Sequence, residues 1–278
     1  MHKFIDLHTH STCSDGTLTP TQVIKAAKDV GLSAIALTDH DTVDGLKEAV
    51  EAGKKYGIEV ITGIEFSVQS DTEMHLLGLG FEIDCPAITS ILDEMIYQRE
   101  LRNQKVVRLL SDIGINITVD DILAEATSKV TGRSQIAKAM LRKGYVSSIN
   151  EAFEKYLKHG KPAFVERTTL SPEKAIEIIK KSGGVSSLAH LNQTGKSDDK
   201  LYKILTDMKS AGLDAIEGYY TEYSDEMSEK YRQMASKTGL KLTGGSDFHG
   251  ENKDGYNIGT GKGNLQIPYS LLKNLFEQ

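Results

Sequence analysis

Two histidines near the start of the sequence, His8 and His10, are separated by one residue and follow a short apolar run at residues 4–7. The run predicts a buried strand, and the spacing places both imidazoles on one side of the extended chain that leaves it. Neutral imidazole is a common ligand of divalent transition metals, and Asp15 adds a carboxylate ligand shortly afterwards. This stretch therefore predicts one wall of a metal site.

Similar side chains stand where later predicted strands end. These strands cover residues 34–38, 59–64, 74–79, 185–189 and 240–244. The third of them is expected to return antiparallel in a hairpin, so that its first residues share an edge with the ends of the others. The side chains at this edge are His40, Glu65, His75, His190, Asp247 and His249.

Together these positions supply nine potential ligands, whereas one ion commonly takes four to six. We therefore expect two or three divalent ions per chain in a shared cluster. Manganese is the first candidate, with zinc, iron and magnesium as alternatives, because mixed imidazole and carboxylate ligands accept all four metals to different degrees. Taken singly, His40 or His75 would be an ordinary polar residue, and no role is assigned to His2 or His159.

Composition excludes several classes of partner. The 278-residue chain has a net charge of -6, so neither a membrane nor a stably bound nucleic acid duplex is expected as a partner. Cys13 and Cys85 suggest no disulfide framework, and no export signal or apolar run of about 18 residues is found. We expect a cytoplasmic protein, and the sequence leaves its oligomeric state open.

Repeated strand-then-helix units predict an α/β fold with a parallel or barrel sheet, in which function gathers at the carboxyl ends of the strands. Residues 87–161 are instead helical, so 1–86 and 162–278 are expected to form one barrel interrupted by a helical lid domain. The strand pattern is expected to resume at 162–165. Residues 99–161 contain 12 basic and 7 acidic residues, a net +5, which leaves the rest of the chain at -11.

Three arginines of the predicted insertion are candidates for phosphate binding. Arg99 and Arg102 are three residues apart and share a helix face. Arg133 begins a predicted helix after Gly132, where free backbone N–H groups favour an anion, and guanidinium binds phosphate bidentately. The alternative is that all three are solvated surface residues.

The motifs that contain these ligands resemble those of the polymerase and histidinol phosphatase (PHP) superfamily. They are His8-x-His10-Ser11-x-x-Ser14-Asp15-Gly16, Thr38-Asp39-His40-Asp41, Gly63-x-Glu65, Ala189-His190 and Gly245-Ser246-Asp247-Phe248-His249-Gly250. The resemblance covers essentially the whole chain and implies a distorted (β/α) barrel with a three-metal site. It implies three ligand sets, which are His8, His10, Glu65 and Asp247; Glu65, His75 and His190; and Asp15, His40 and His249.

The insertion resembles one branch of that superfamily. Segments 99–103, 132–141 and 161–165 are similar to those of enzymes that remove the 3′-phosphate from nucleoside 3′,5′-bisphosphates, whose relatives also trim short RNA from its 5′ end. Leu191 and Ser134 stand where the family usually has proline. Neither position is a ligand, so these departures concern loop geometry more than chemistry.

The expected reaction is hydrolysis of a phosphate ester, in which metal ions lower the pKa of a water that attacks phosphorus. Glu65, His190 and Asp247 are the predicted catalytic residues, with His190 or a water as the acid for the leaving group. A nucleoside bisphosphate is the expected substrate, and Arg99, Arg102 and Arg133 would hold its second phosphate. Alternatives are a 5′-3′ exoribonuclease acting on a short oligoribonucleotide, a histidinol-phosphate phosphatase, and a non-catalytic metal-binding accessory module.

Overall fold

The computed structural model describes residues 3–126, 131–166 and 169–277. It divides the chain into two compact units, of which the first comprises Met1–Thr89 and Leu170–Gln278 and the second comprises Ser90–Thr169. His2 lies outside the described residues.

Seven strands of the first unit form one sheet in chain order. They are β1 (Ile5–Asp6), β2 (Ala34–Leu37), β3 (Glu59–Ser67), β4 (His75–Leu79), β5 (Val185–Leu188), β6 (Ala215–Tyr220) and β7 (Lys241–Gly245). Strand β4 is antiparallel to both neighbours, as the hairpin predicted, and the other pairs are parallel. The beginning of β4 therefore lies at the edge where the parallel strands end.

The first and last strands of the sheet meet. The N–H of Leu7 donates to the carbonyl of Gly244 at 3.1 Å, and that of Asp247 donates to the carbonyl of His8 at 2.8 Å. The buried Asp6 carboxylate accepts the N–H groups of Ser246 at 2.9 Å and Gly259 at 2.7 Å. The sheet is thus a nearly closed mixed barrel, which confirms the predicted distorted (β/α) fold.

Helices follow most of the strands. In chain order they are α1 (Pro20–Asp29), α2 (Leu46–Tyr56), α3 (Pro86–Asp112), α4 (Val119–Leu123), α5 (Arg133–Arg142), α6 (Ile149–Ala152), α7 (Pro172–Lys181), α8 (Asp198–Ser210), α9 (Asp225–Thr238) and α10 (Ser270–Phe276). Local sequence explains several starts. Thr19 accepts the N–H of Gln22 ahead of Pro20, and Ser171 caps α7 ahead of Pro172 in the same way.

Each unit has its own apolar core. In the first unit, Ile5, Leu7 and Leu77 are fully buried among small residues of β2 and β6. In the second unit, Leu110 and Ile136 are buried between helices. This division of apolar contacts lets a barrel and a helical unit each exclude water from its own interior.

The prediction that a strand resumes at 162–165 is wrong. Ala163 is buried in the core of the second unit, and its N–H donates to the carbonyl of Tyr156 at 3.0 Å. The N–H of Phe164 donates to the carbonyl of Lys161, which makes a turn. Four residues give too short an apolar run to distinguish a strand from a segment packed on helices.

No helix within the described ranges combines the length and the apolar character that crossing a bilayer requires.

Candidate metal centre

All nine predicted ligands lie in the first unit, at the strand ends described above. Seven of them line a cavity of about 150 Å³ together with Glu73, Gln193 and Lys253; these seven are Asp15, His40, Glu65, His75, His190, Asp247 and His249. His8 and His10 are fully buried and contact the cavity-lining carboxylates. The structure therefore brings together side chains from the two ends of the sequence.

Glu65 lies at the centre of this group and has no exposed surface. Its Oε2 atom is 3.1 Å from Nδ1 of His40 and 3.2 Å from Nε2 of both His8 and His10. The Oε1 atom is 2.9 Å from Nδ1 of His75 and Nε2 of His190. One carboxylate thus contacts five of the six histidines and would be a shared ligand of any ions that these histidines hold.

Three sets of side chains have ligand atoms within 4.8 Å of one another. They are His10, Asp15, His40 and His249; His8, His10 and Glu65; and His40, Glu65 and His75. Nε2 of His8, Nδ1 of His40 and Oε2 of Glu65 are buried and make no hydrogen bond within the described chain. Buried polar atoms normally have partners, so these atoms fit a divalent cation.

The pKa values of the cluster also favour a cation site. Burial alone would raise the pKa of Glu65, but His40 and His8 hold it well below its usual value. Burial lowers the pKa of His40 to about 3. Burial alone would lower the pKa of His10, but the neighbouring carboxylates of Asp247 and Glu65 outweigh it and raise the pKa to about 9. Ionised carboxylates among imidazoles form a donor set in which a cation can replace protons.

Unusual backbone conformations coincide with the site. Among the described residues, those other than glycine with positive φ are Asp41 (51°), His190 (24°) and Asp247 (55°). All three follow the ends of strands that contribute to the cavity. Such conformations cost on the order of 1–3 kcal/mol each and persist where the surrounding structure enforces them. The site is therefore built on a backbone that the barrel holds in place.

The loop that carries Asp15 is fixed by Asp39. The Asp39 carboxylate accepts hydrogen bonds from the N–H of Ser11 at 2.7 Å and from the hydroxyls of Ser11 and Ser14, both at 2.6 Å. A Cβ at Gly16 would lie 2.6 Å from the carbonyl oxygen of His10. The serines and the glycine of this motif therefore shape the turn.

The sequence reasoning missed three side chains that support the ligands. Glu217 is fully buried and accepts from Nδ1 of His8 and the N–H of His190. Tyr220 and Lys253 both donate to Oδ2 of Asp247, at 2.8 and 2.6 Å. The sequence feature that could have identified Glu217 is the presence of a carboxylate inside the otherwise apolar strand β6. Nothing in the loop around Lys253 distinguishes it from other surface lysines.

The three predicted phosphate-binding arginines all lie in the second unit. Arg99 and Arg102 are buried in α3, with 9% and 5% of their surface exposed. The guanidinium carbon of Arg133 lies 4.8 Å from the centre of the Phe164 ring. A Cβ at Gly132 would lie 3.7 Å from Nη1 of Arg99, so Arg99 reaches the start of α5.

A nearly closed α/β barrel with a histidine and carboxylate cluster at its strand ends is an arrangement in which enzymes bind catalytic metal ions. The PHP domain family matches residues 6–250, which include all nine predicted ligands, and the chain belongs to this family.

Relatives with related activities cover nearly the whole chain. A 5′-3′ exoribonuclease of Haemophilus influenzae is 36% identical over 253 residues, which are 90% of this chain and 91% of that protein. A 3′,5′-nucleoside bisphosphate phosphatase of Chromobacterium violaceum is 32% identical over 257 residues, which are 92% of this chain and 90% of that protein.

A solved structure agrees with these relatives. It is a predicted metal-dependent phosphoesterase from Bifidobacterium adolescentis, which has a TM-score of 0.81 at 28% identity and covers 98% of this chain and 95% of its own. Family, relatives and structure together make this chain a metal-dependent hydrolase of phosphate esters.

Proposed function

We propose that this enzyme removes the 3′-phosphate of nucleoside 3′,5′-bisphosphates and releases the 5′-monophosphate. The observation that carries the proposal is that Arg99 reaches Gly132 at the start of α5, whose first residue is Arg133, in a chain 32% identical to a phosphatase named for this substrate. Two guanidinium groups and a helix N-terminus favour a phosphate. A substrate with two phosphates has one for this position and one for hydrolysis.

We further propose that the nine predicted ligands hold two or three ions, with manganese as the first candidate. Bound ions would lower the pKa of the attacking water and offset the negative charge that develops on the phosphate. Glu65 and Asp247 would fix the positions of the reacting groups through their carboxylate oxygens. For the proton on the leaving ribose oxygen we propose either a water held at the ions or His190, which would donate from the ring nitrogen that does not hold an ion and which lies beside Glu65 in the cavity.

Arg133 would act by orientation. Its guanidinium packs over Phe164 and donates to the carbonyl of Val165 at 3.4 Å, so its position is fixed by its own unit. An ordered cation loses less entropy when it binds an anion than a mobile one. Arg99 is proposed to assist it, and Arg102 is proposed to contact the same phosphate.

A second candidate is 5′-3′ exoribonuclease activity on short 5′-phosphorylated RNA. The observation that favours it is the 36% identity to the exoribonuclease of Haemophilus influenzae. Both reactions break a phosphorus–oxygen bond next to a ribose, and they differ in the length of the nucleotide substrate that the enzyme must accommodate.

A substrate screen of the manganese-loaded protein tests this proposal. The substrates are a nucleoside 3′,5′-bisphosphate, a 5′-phosphorylated tetraribonucleotide, histidinol phosphate and p-nitrophenyl phosphate. We expect the highest kcat/KM for the bisphosphate. Higher kcat/KM for the RNA, with release of mononucleotides, would replace the first proposal with the second, and preference for histidinol phosphate would contradict both.

A further inference from the structure

One ammonium group lies on the wall of the cavity that the metal ligands surround. Lys253 follows β7 in a loop of the first unit, and 34% of its side chain is exposed. The other described residues that line the cavity are imidazoles, carboxylates and one amide. Lys253 is therefore the one side chain of this described lining that is normally cationic at neutral pH.

The contacts of Lys253 leave part of the ammonium available. Its Nζ atom lies 2.6 Å from Oδ2 of Asp247, which also accepts the hydroxyl of Tyr220 at 2.8 Å. The other oxygen of Asp247 faces Nε2 of His10 at 3.4 Å. An ammonium has three N–H donors, and Asp247 is its one hydrogen-bond partner within the described chain. Two donors can therefore reach a ligand in the cavity.

We propose that Lys253 binds the phosphate group undergoing hydrolysis, through non-bridging oxygens. This inference rests on phosphate ester hydrolysis at the cluster, but it does not depend on which nucleotide carries the phosphate. Asp247 orients Lys253 by its hydrogen bond, and the ammonium supplies a fixed positive charge where the substrate anion enters. It also favours a dianionic phosphate monoester over a neutral ester of the same size.

A purely structural role for Lys253 has a different consequence. If Lys253 only oriented Asp247, its loss would disturb an ion ligand, and the protein would lose metal. If it binds phosphate, its loss would weaken phosphate binding while the metal content is kept, because Tyr220 still holds Oδ2 of Asp247.

The chain offers a matched control for this distinction. The ammonium groups of Lys253 and Lys262 both lie over the Tyr256 ring, 5.6 and 4.9 Å from its centre. Lys262 is exposed and does not line the cavity. Replacing either lysine removes one charge beside the same ring, but only Lys253 faces the ligands.

The experiment measures binding of inorganic phosphate to the manganese-loaded protein by calorimetry, with manganese content determined on the same samples. Lys253→Met is expected to weaken phosphate binding about tenfold to a hundredfold, the equivalent of one charged hydrogen bond, with manganese content unchanged. Lys253→Arg should recover most of the affinity, and Lys262→Met should bind like the wild type.

Unchanged phosphate affinity in Lys253→Met, or manganese loss in that variant, would overturn the inference, as would absence of phosphate binding by the wild type. The proposed substrate can be contradicted independently of the Lys253 inference. A wild type that binds phosphate and hydrolyses p-nitrophenyl phosphate, but not a nucleoside bisphosphate, would contradict the proposed function and leave the Lys253 result standing.

Discussion

Nδ1 of His8 lies 2.8 Å from Oε1 of Glu217, and both side chains are fully buried. The other oxygen of this carboxylate accepts the backbone N–H of His190 at 2.6 Å. A hydrogen bond at Nδ1 directs the opposite nitrogen, Nε2, and its lone pair toward Glu65 and Asp247. Glu217 therefore orients two predicted ligands from β6 without reaching the cavity.

Glu217→Ala should weaken manganese binding about tenfold to a hundredfold, because His8 and the backbone of His190 lose a common anchor. Glu217→Gln should be intermediate, since its amide has a single acceptor oxygen. Calorimetric titration of the metal-free proteins measures the effect, with the surface variant Glu229→Ala as a control. Equal manganese affinity in all three variants and the wild type would contradict the assigned role.

Gly245→Ala should damage the barrel and the metal centre together. A Cβ at Gly245 would lie 2.3 Å from Cβ of His8 and 2.5 Å from its backbone nitrogen, so β1 and β7 would have to separate. We expect a loss of about 1–3 kcal/mol in the free energy of unfolding, as for other overpacked sites, together with reduced manganese content.

Gly132→Ala provides the control for that substitution. Its added Cβ would have its nearest contact at 3.6 Å, with the side chain of Gln135. Denaturant unfolding and metal analysis should show little change. If the two alanine variants are equally stable and hold equal manganese, the close contact between β1 and β7 is wrong.

Removing divalent ions with a chelator should abolish hydrolysis of p-nitrophenyl phosphate and lower the Tm. Manganese at a hundredfold excess over its Kd should restore about 2.7 kcal/mol of stability by mass action. Because 1 kcal/mol shifts the Tm of a chain of this length by about 2 °C, the expected rise in Tm is about 5 °C.

Differential scanning calorimetry with and without manganese measures this rise. His8→Ala should lose most of it, because an ion ligand is gone. His159→Ala should keep it, since His159 packs against Phe164 in the second unit. A rise of the same size in His8→Ala would argue against the predicted ligand set.

Arg133→Ala should raise the KM for a nucleoside 3′,5′-bisphosphate by about tenfold or more, the effect of losing a charged hydrogen bond. The KM for p-nitrophenyl phosphate, which has no second phosphate, should change far less. Arg142→Ala is the control, because Arg142 pairs with Asp121 and Glu125 at the other end of α5. Equal effects of Arg133→Ala on the two substrates would reject the proposed phosphate contact.

The sequence predicted the barrel because its strands are short apolar runs that alternate with amphipathic helices. All six histidines at the site begin such a strand or follow its end within four residues, so their convergence could be anticipated from topology alone. Glu217 could not be identified in this way, since it lies inside a strand and its partners, His8 and the backbone at 190, are distant in sequence.

Two other features depend on tertiary packing that periodicity does not describe. Lys253 reaches the cavity from an irregular loop, and only the fold brings it to Asp247. Residues 162–165 have the apolar character of a strand, but Ala163 packs against helices of the second unit. In both cases the local pattern is compatible with more than one environment, and long-range contacts decide between them.

Closure of the barrel through Asp6, Ser246 and Gly259 has a consequence for biosynthesis. On the ribosome, His8 and His10 are synthesised long before Asp247 and His249, because the two pairs stand at opposite ends of the PHP domain at residues 6–250. The complete ligand set can assemble only after the chain through His249 has left the exit tunnel. A chain that stops before Asp247 therefore lacks part of the predicted ligand set and should not hydrolyse phosphate esters.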